Sequence, residues 1–126
     1  MTEPSTTYRT VTPYLVVTDA EVELRFLGAA FGAVEQECHR SEDGGVMHAE
    51  VCIGDSLIML GQAAETGKAL AAALYLWVDN VDEVYTKALA AGARPLSAPE
   101  DKPYGHRNAG VVDSNGITWW IGSPVR

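Results

Sequence analysis

Cysteine and positive charge are both scarce in this sequence, and each shortage closes off a class of function. Cys38 and Cys52 are the only thiols among 126 residues. No Cys-x-x-Cys pair or zinc-finger spacing of histidines accompanies them, so neither a disulfide framework nor a structural zinc site is expected, and a reduced cytoplasm is the expected compartment. Lys and Arg number 9 against 17 Asp and Glu, for a net charge of −8, and the basic residues fall singly between Arg9 and Arg126. A surface like this is a poor partner for nucleic acid or an anionic membrane. Glycine loops that cradle phosphates are missing. No Ser or Cys sits on a sharp turn beside a base, and Cys52 falls in mid-strand without an activator, which argues against nucleophilic hydrolysis. The first seven residues are polar, with neither a basic start nor an apolar stretch, and read as a loose tail rather than a signal peptide or membrane anchor.

What is present is the composition of an ordinary folded domain. Hydrophobic residues make up 47% and charged residues 21% of the chain, and this length suits one domain with one core. The chain also repeats itself. An offset of 60 residues lays VVTDAEVELRFLGAAFGA, Val16 to Ala33, on LWVDNVDEVYTKALAAGA, Leu76 to Ala93. Each stretch reads as a strand end, an N-cap (Asp19, Asp79), an amphipathic helix and a glycine stop (Gly32, Gly92). Three strand candidates follow each helix: Val34–Arg40, Met47–Ile53 and Leu57–Gly61, then Arg94–Ser97, Arg107–Val112 and Ile117–Gly122. Turn residues such as Gly54-Asp55 and Asp113-Ser114-Asn115-Gly116 separate them. The expected fold is α+β: two tandem βαβββ modules, about 8–61 and 73–123. The Ala-rich segment 62–72 between them is either a mobile linker or a short helical turn.

Two such modules, together with the stretches VTPYLVVTDA, VMHAEVCIGDSLIML, LWVDNVDEV and YGHRNAGVVDSNGITWWI, resemble the vicinal oxygen chelate superfamily of glyoxalases, bleomycin resistance proteins and extradiol dioxygenases, and within it the PhnB-like branch. The resemblance implies a curved, half-open mixed sheet with helices on its convex side and a ligand in the concave cleft. It also implies four metal-ligand positions, which fall here on Thr12, Met59, Ala73 and Trp120. None of these side chains binds zinc, nickel or iron well, so no metal or other cofactor is expected.

Strand alternation divides the faces. Leu15, Val17, Ile58, Leu60, Leu74, Leu76 and Val78 suit the helix-packed side. Tyr14, Tyr75, Trp77 and Trp120 then converge on one cleft, where they either suit a planar or aromatic ligand or close the cleft by packing, while Trp119 belongs to the core. His48 and Glu50 share a face as a possible acid–base pair, or as a hydrogen-bonded wall. Matching Asp55 to Asp113 sets His48 against His106. In the loop before the seventh strand, Tyr104 is placed to cap a ligand, and Arg107 either pairs with a ligand anion or ties the loop to Glu100 or Asp101. The functional expectation is a small-molecule binding protein, with a metal-independent lyase or isomerase using His48 and Glu50 as the alternative. A homodimer is expected, because the repeated sheet edges are otherwise open.

Overall fold

A computed structural model describes residues 8–65 and 67–125 of the chain. The tail expected over residues 1–7 lies outside the described residues. The element order is β1 (Tyr14–Val17), α1 (Ala20–Phe31), β2 (Val34–Arg40), β3 (Val46–Ile53), β4 (Ser56–Gln62), β5 (Ala73–Trp77), α2 (Val81–Ala90), β6 (Arg94–Asp101), β7 (His106–Val112) and β8 (Thr118–Pro124). Two four-stranded mixed sheets result, ordered β1-β4-β3-β2 and β5-β8-β7-β6. In each, the module's first strand runs parallel to its last, and the other pairs are antiparallel. This is the βαβββ repeat expected from the sequence, and the sheets do not close into a barrel. No helix among the described residues is long and apolar enough to cross a membrane.

Local chemistry fixes the helix ends. Asp19 accepts a hydrogen bond from Val22 N, and Gly32, at φ 70°, turns the chain out of α1, a conformation that costs glycine little. The second N-cap is Asn80, which accepts from Glu83 N, and not Asp79. The two side chains are adjacent and both are good cap formers, so an ungapped alignment settles on the wrong one. The N-caps therefore stand 61 positions apart while the glycines stand 60 apart, and α2 ends at the C-cap Ala91, one position before Gly92, which together leave it 10 residues against 12.

The helices face each other between the two sheets, and one continuous core serves both modules. Leu15, Val17, Ile58 and Leu60 from the first module are buried with Ala109, Val111, Trp119 and Ile121 from the second. Phe31 of α1 lies against Trp119 of β8 with ring centroids 4.9 Å apart. Leu74, Leu76 and Val78 pack against this core from β5, as alternation requires. The connection between modules forms no helix among its described residues. It is tied back to β1, where Ala63 N donates to Val17 O and Leu70 N to Val16 O, both at close to ideal length.

A polar clasp joins the modules where the β7–β8 turn meets α1. The Asn115 side chain brackets the Asp19 peptide, accepting from its N at 3.0 Å and donating to its O at 2.9 Å, and also donates to Glu23 Oε1 at 3.0 Å. Asp113 accepts from the backbone N of Asn115 and Ile117 and from Trp119 Nε1. Glu23 is fully buried. Burial, then its hydrogen bond to the Asp113 carboxyl, pushes its pKa up to about 9, so Glu23 is protonated at neutral pH. Its Oε2 has no donor within reach and is satisfied when it carries that proton and donates to Asp113.

Candidate functional site

With the core between the sheets, the residues that alternation assigns to the other side of each strand face outward. The sequence places four aromatic rings in one concavity. The structure separates them, with Tyr14 on the outer face of sheet one and Tyr75, Trp77 and Trp120 on that of sheet two. The reason is the helix packing: α1 and α2 bury their apolar stripes against each other, so within one chain the sheets lie back to back. Tyr14 is 56% exposed and Trp77 likewise 56%.

Glycines laid under the rings shape both faces. Tyr14 pairs with Met59 across the parallel β1–β4 ladder, and its ring lies over Gly61, where an added Cβ would sit 3.2 Å from the tyrosine ring. Tyr75 repeats this on sheet two, pairing with Trp120 and lying over Gly122, where a Cβ would sit 2.7 Å from Cε1. Trp120 in turn lies over Gly110, whose Cβ would approach the indole to 2.7 Å. The contacts at Gly110 and Gly122 are overlaps, and at Gly61 the ring contact is tight with the Tyr14 hydroxyl nearer still at 2.5 Å, so an added Cβ at any of the three would push its ring off the sheet.

The strand registers correct the pseudo-symmetric pairing of His48 with His106. His48 is opposite Gly61 and Asn108 is opposite Gly122, so Asn108 is the counterpart of His48. The alignment fails because the β3–β4 hairpin turns at Gly54-Asp55 while the β7–β8 turn is longer, running from Asp113 to Ile117. By the same registers Glu50, opposite Met59, corresponds to Gly110, opposite Trp120. One face has thus kept a carboxylate where the other has made room for an indole.

Sheet one is the polar face. Glu50, only 6% exposed, binds His48 Nε2 through Oε2 at 3.1 Å and accepts from the Tyr8 hydroxyl through Oε1 at 2.8 Å. The Tyr8 pKa is raised by that hydrogen bond. His48 is further flanked by the rings of Tyr14 and His39, with centroids at 6.1 and 5.9 Å. Tyr8 is a member of this cluster that the sequence did not single out.

Sheet two is the aromatic face. Tyr75 and Trp77 lie 4.9 Å apart, and His106 stands edge-on to Trp77 at 4.9 Å and to Tyr104 at 5.3 Å. Within this wall lies Asn108, 4% exposed. Its Nδ2 donates to the Tyr104 hydroxyl at 3.0 Å and, at a longer 3.4 Å, to that of Tyr75, while its Oδ1 is buried without a hydrogen-bond partner. Sequence reading passed over Asn108, although alternation from His106 puts it on this face. Arg107 has the opposite phase and points to the helix side. There it grips Asp82 of α2 through Nε and Nη2 at 2.9 and 3.0 Å, and Asp101 of β6 through Nη1 at 3.0 Å. The first of these is the bidentate geometry a guanidinium favours. The guanidinium is occupied as a tie, as one of the two sequence readings had it, although Glu100 pairs with Lys102 instead.

One cavity borders the sheet-two face at Tyr75 and Trp77. A groove of about 940 Å³ runs between the C-terminal half of α1 and β5, floored by Phe31, Leu74, Leu76 and Trp119, alongside the free edge of β5. The outer faces are the candidate site because they gather the aromatic rings and convergent polar groups, whereas the groove, although Tyr75, Trp77 and the polar side chains of Arg9, Asp55, Ser56 and Lys87 also line it, is floored by apolar residues.

The family model described as "Glyoxalase/Bleomycin resistance protein/Dioxygenase superfamily" matches residues 9–121. The chain belongs to that superfamily. An uncharacterized protein of Mycobacterium bovis is 34% identical over 127 residues, covering 92% of this chain and 84% of the relative. Among solved structures, TioX from Micromonospora sp. ML1 is similar at 25% identity and a TM-score of 0.80, covering 94% of this chain and all of TioX. A Bacillus cereus PhnB protein, described as a putative 3-demethylubiquinone-9 3-methyltransferase, shares the fold at 17% identity and a TM-score of 0.74, over 91% of this chain and 99% of that one. The metal-ligand positions that the superfamily resemblance implies are occupied here by Thr12, Met59, Ala73 and Trp120. Hydroxyl, thioether, methyl and indole are a poor donor set for a divalent cation, and no group of three or more His, Cys, Asp or Glu is placed to hold one among the described residues.

Proposed function

We propose that this superfamily member, of the PhnB-like branch, binds a small planar or aromatic molecule without a metal, on a platform made by Tyr75, Trp77, His106, Tyr104 and Trp120. The observation that carries this reading is the bedding of Tyr75 and the half-buried Trp120 over Gly122 and Gly110, next to the exposed rings of Tyr75 and Trp77. Planar aromatics are expected to quench tryptophan emission, and Trp77→Ala or Trp120→Ala to weaken their binding by about 1 to 3 kcal/mol, the worth of a good aromatic contact. Variants that bind a confirmed ligand as the parent does would overturn the assignment.

Dialysed protein is expected to contain far less than one equivalent of zinc, nickel or iron, and its melting temperature to stay nearly unchanged when these metals are added, since a ligand stabilises the fold only as far as it occupies it. One tightly held metal per chain would contradict this.

A second copy of the chain completes the cleft in this reading. The two faces look away from each other within one chain, β1 and β5 are edge strands, with β1 covered in part where Leu70 N donates to Val16 O, and a groove with an apolar floor runs beside β5. A homodimer that sets sheet one of one protomer against sheet two of the other unites both faces and covers those edges. Light scattering at tens of micromolar is expected to show a dimer. A monomer with full ligand affinity would restrict the site to sheet two.

A second reading rests on Glu50, which is nearly buried yet holds both Tyr8 and His48. That arrangement suits proton transfer by a lyase or isomerase. Glu50→Gln abolishing turnover while sparing ligand binding would favour it.

A further inference from the structure

Asn108 has an incomplete hydrogen-bond set in a place where buried polar groups are rarely left so. An amide offers two donors and an acceptor side by side. Here the donors reach Tyr104 and Tyr75, while Oδ1, out of contact with solvent, has nothing. A buried carbonyl oxygen without a donor costs free energy, and β7 could carry an apolar residue at this position at no such cost. The stronger of the amide's two contacts is also the least anchored. Tyr104 is 64% exposed and sits in the turn between β6 and β7 beside Gly105 at φ 91°, held on this side by the edge of His106.

We propose that Asn108 is the polar anchor of the aromatic platform, reading a planar ring that carries an N–H or O–H next to a carbonyl or ring nitrogen, and that the Tyr104 hydroxyl holds the amide's place until the ligand arrives. The ligand's donor satisfies Oδ1 and its acceptor takes Nδ2 from Tyr104, which swings off its turn and closes edge-on over the ring. The stacking walls, Tyr75 and Trp77, select a flat molecule, and the amide selects the edge pattern. This rests on sheet two being the ligand platform.

Quinolin-2(1H)-one, whose lactam has the complementary N–H and C=O, and its 1-methyl derivative, which lacks the donor, separate the two ideas. Binding is read by tryptophan quenching and by the side-chain amide resonances of Asn108 in 15N-labelled protein. The lactam is expected to bind wild-type protein about tenfold more tightly than the methyl derivative, the order of one net hydrogen bond, and to shift the Asn108 amide resonances. Asn108→Leu is expected to bind both equally. Tyr104→Phe, a mild change at an exposed residue, is expected to bind the lactam more tightly than wild type by removing its competitor. Equal binding of both probes to wild-type protein, with no change in Tyr104→Phe, overturns the role of Asn108 and leaves the platform standing. No binding of either probe at millimolar concentration, or quenching that survives Trp77→Ala unchanged, overturns both.

Discussion

Replacing Glu23 by Gln is expected to stabilise the protein at neutral pH and to flatten its stability between mildly acidic and alkaline conditions. Burial, and then the Asp113 carboxyl beside it, keeps a proton on Glu23 up to about pH 9, far above the ordinary glutamate value of 4.5. Between those values the native state binds more protons than the unfolded state, so stability falls as pH rises through the whole window. It is fully present below the unfolded pKa and lost by the time pH passes the folded one. At pH 7 to 8 the wild type has given up on the order of a few kcal/mol in this way, at about 1.4 kcal/mol for each unit of displacement. Glutamine keeps the geometry of the protonated acid, with Nε2 donating to Asp113 and Oε1 accepting from Asn115, and has no proton to lose. Urea unfolding at pH 5, 7 and 9 tests this. A Glu23→Gln protein less stable than wild type at pH 8, or one with the same pH slope, would show that the carboxyl is ionised in the fold.

Asp113→Ala should cost about 3 to 5 kcal/mol, the range for removing one partner from a buried polar network. Asp113 is 3% exposed and is the acceptor for Asn115 N, Ile117 N and Trp119 Nε1, so alanine strands three donors and the Glu23 proton together. Domains of this size have only about 5 to 15 kcal/mol in total. The loss should therefore appear as a large drop in melting temperature, with altered Trp119 emission in the native state. A change within about 0.5 kcal/mol, the usual effect of a surface substitution, would mean that water enters the clasp and replaces the carboxylate.

The fold was legible because its signals are local. Asp19, Gly32 and the alternation of Ile58 and Leu60 each point one way, and the strands expected after each helix lie within a few residues of those observed. Asp79 misled because a run of two cap formers gives no local preference between them. The site was half legible. Period two put Tyr14, Tyr75, Trp77 and Trp120 on the correct side of their strands, but nothing along a strand says whether two sheets face each other or lie back to back. That is decided by helix–helix packing. Glu23 carried a readable signal, since it shares the spacing of Ala20, Leu27 and Ala30 on the buried side of α1. A carboxylate inside an apolar stripe calls for a partner, and that partner, Asp113, lies 90 residues away, where periodicity has no reach. Arg107 stayed open between two readings for want of a register, and its pairing with Asp101 decides for the tie: one position along β7 separates a side chain on the Asn108 face from one facing α2.

The glycines under the aromatic rings bear on how sequences in this superfamily can diverge. Gly61, Gly110 and Gly122 do not need the left-handed backbone that usually fixes a glycine, so the main chain alone would accept alanine at each. What forbids it is a ring lying on top. Each glycine is therefore tied to one partner, Gly61 to Tyr14, Gly110 to Trp120 and Gly122 to Tyr75, and the members of a pair can change only together. A relative with a larger residue at one of these floor positions must have given up the flat ring above it, and with it the stacking surface. Three small residues with no chemistry of their own thus mark which lineages can keep these rings flat on the sheet.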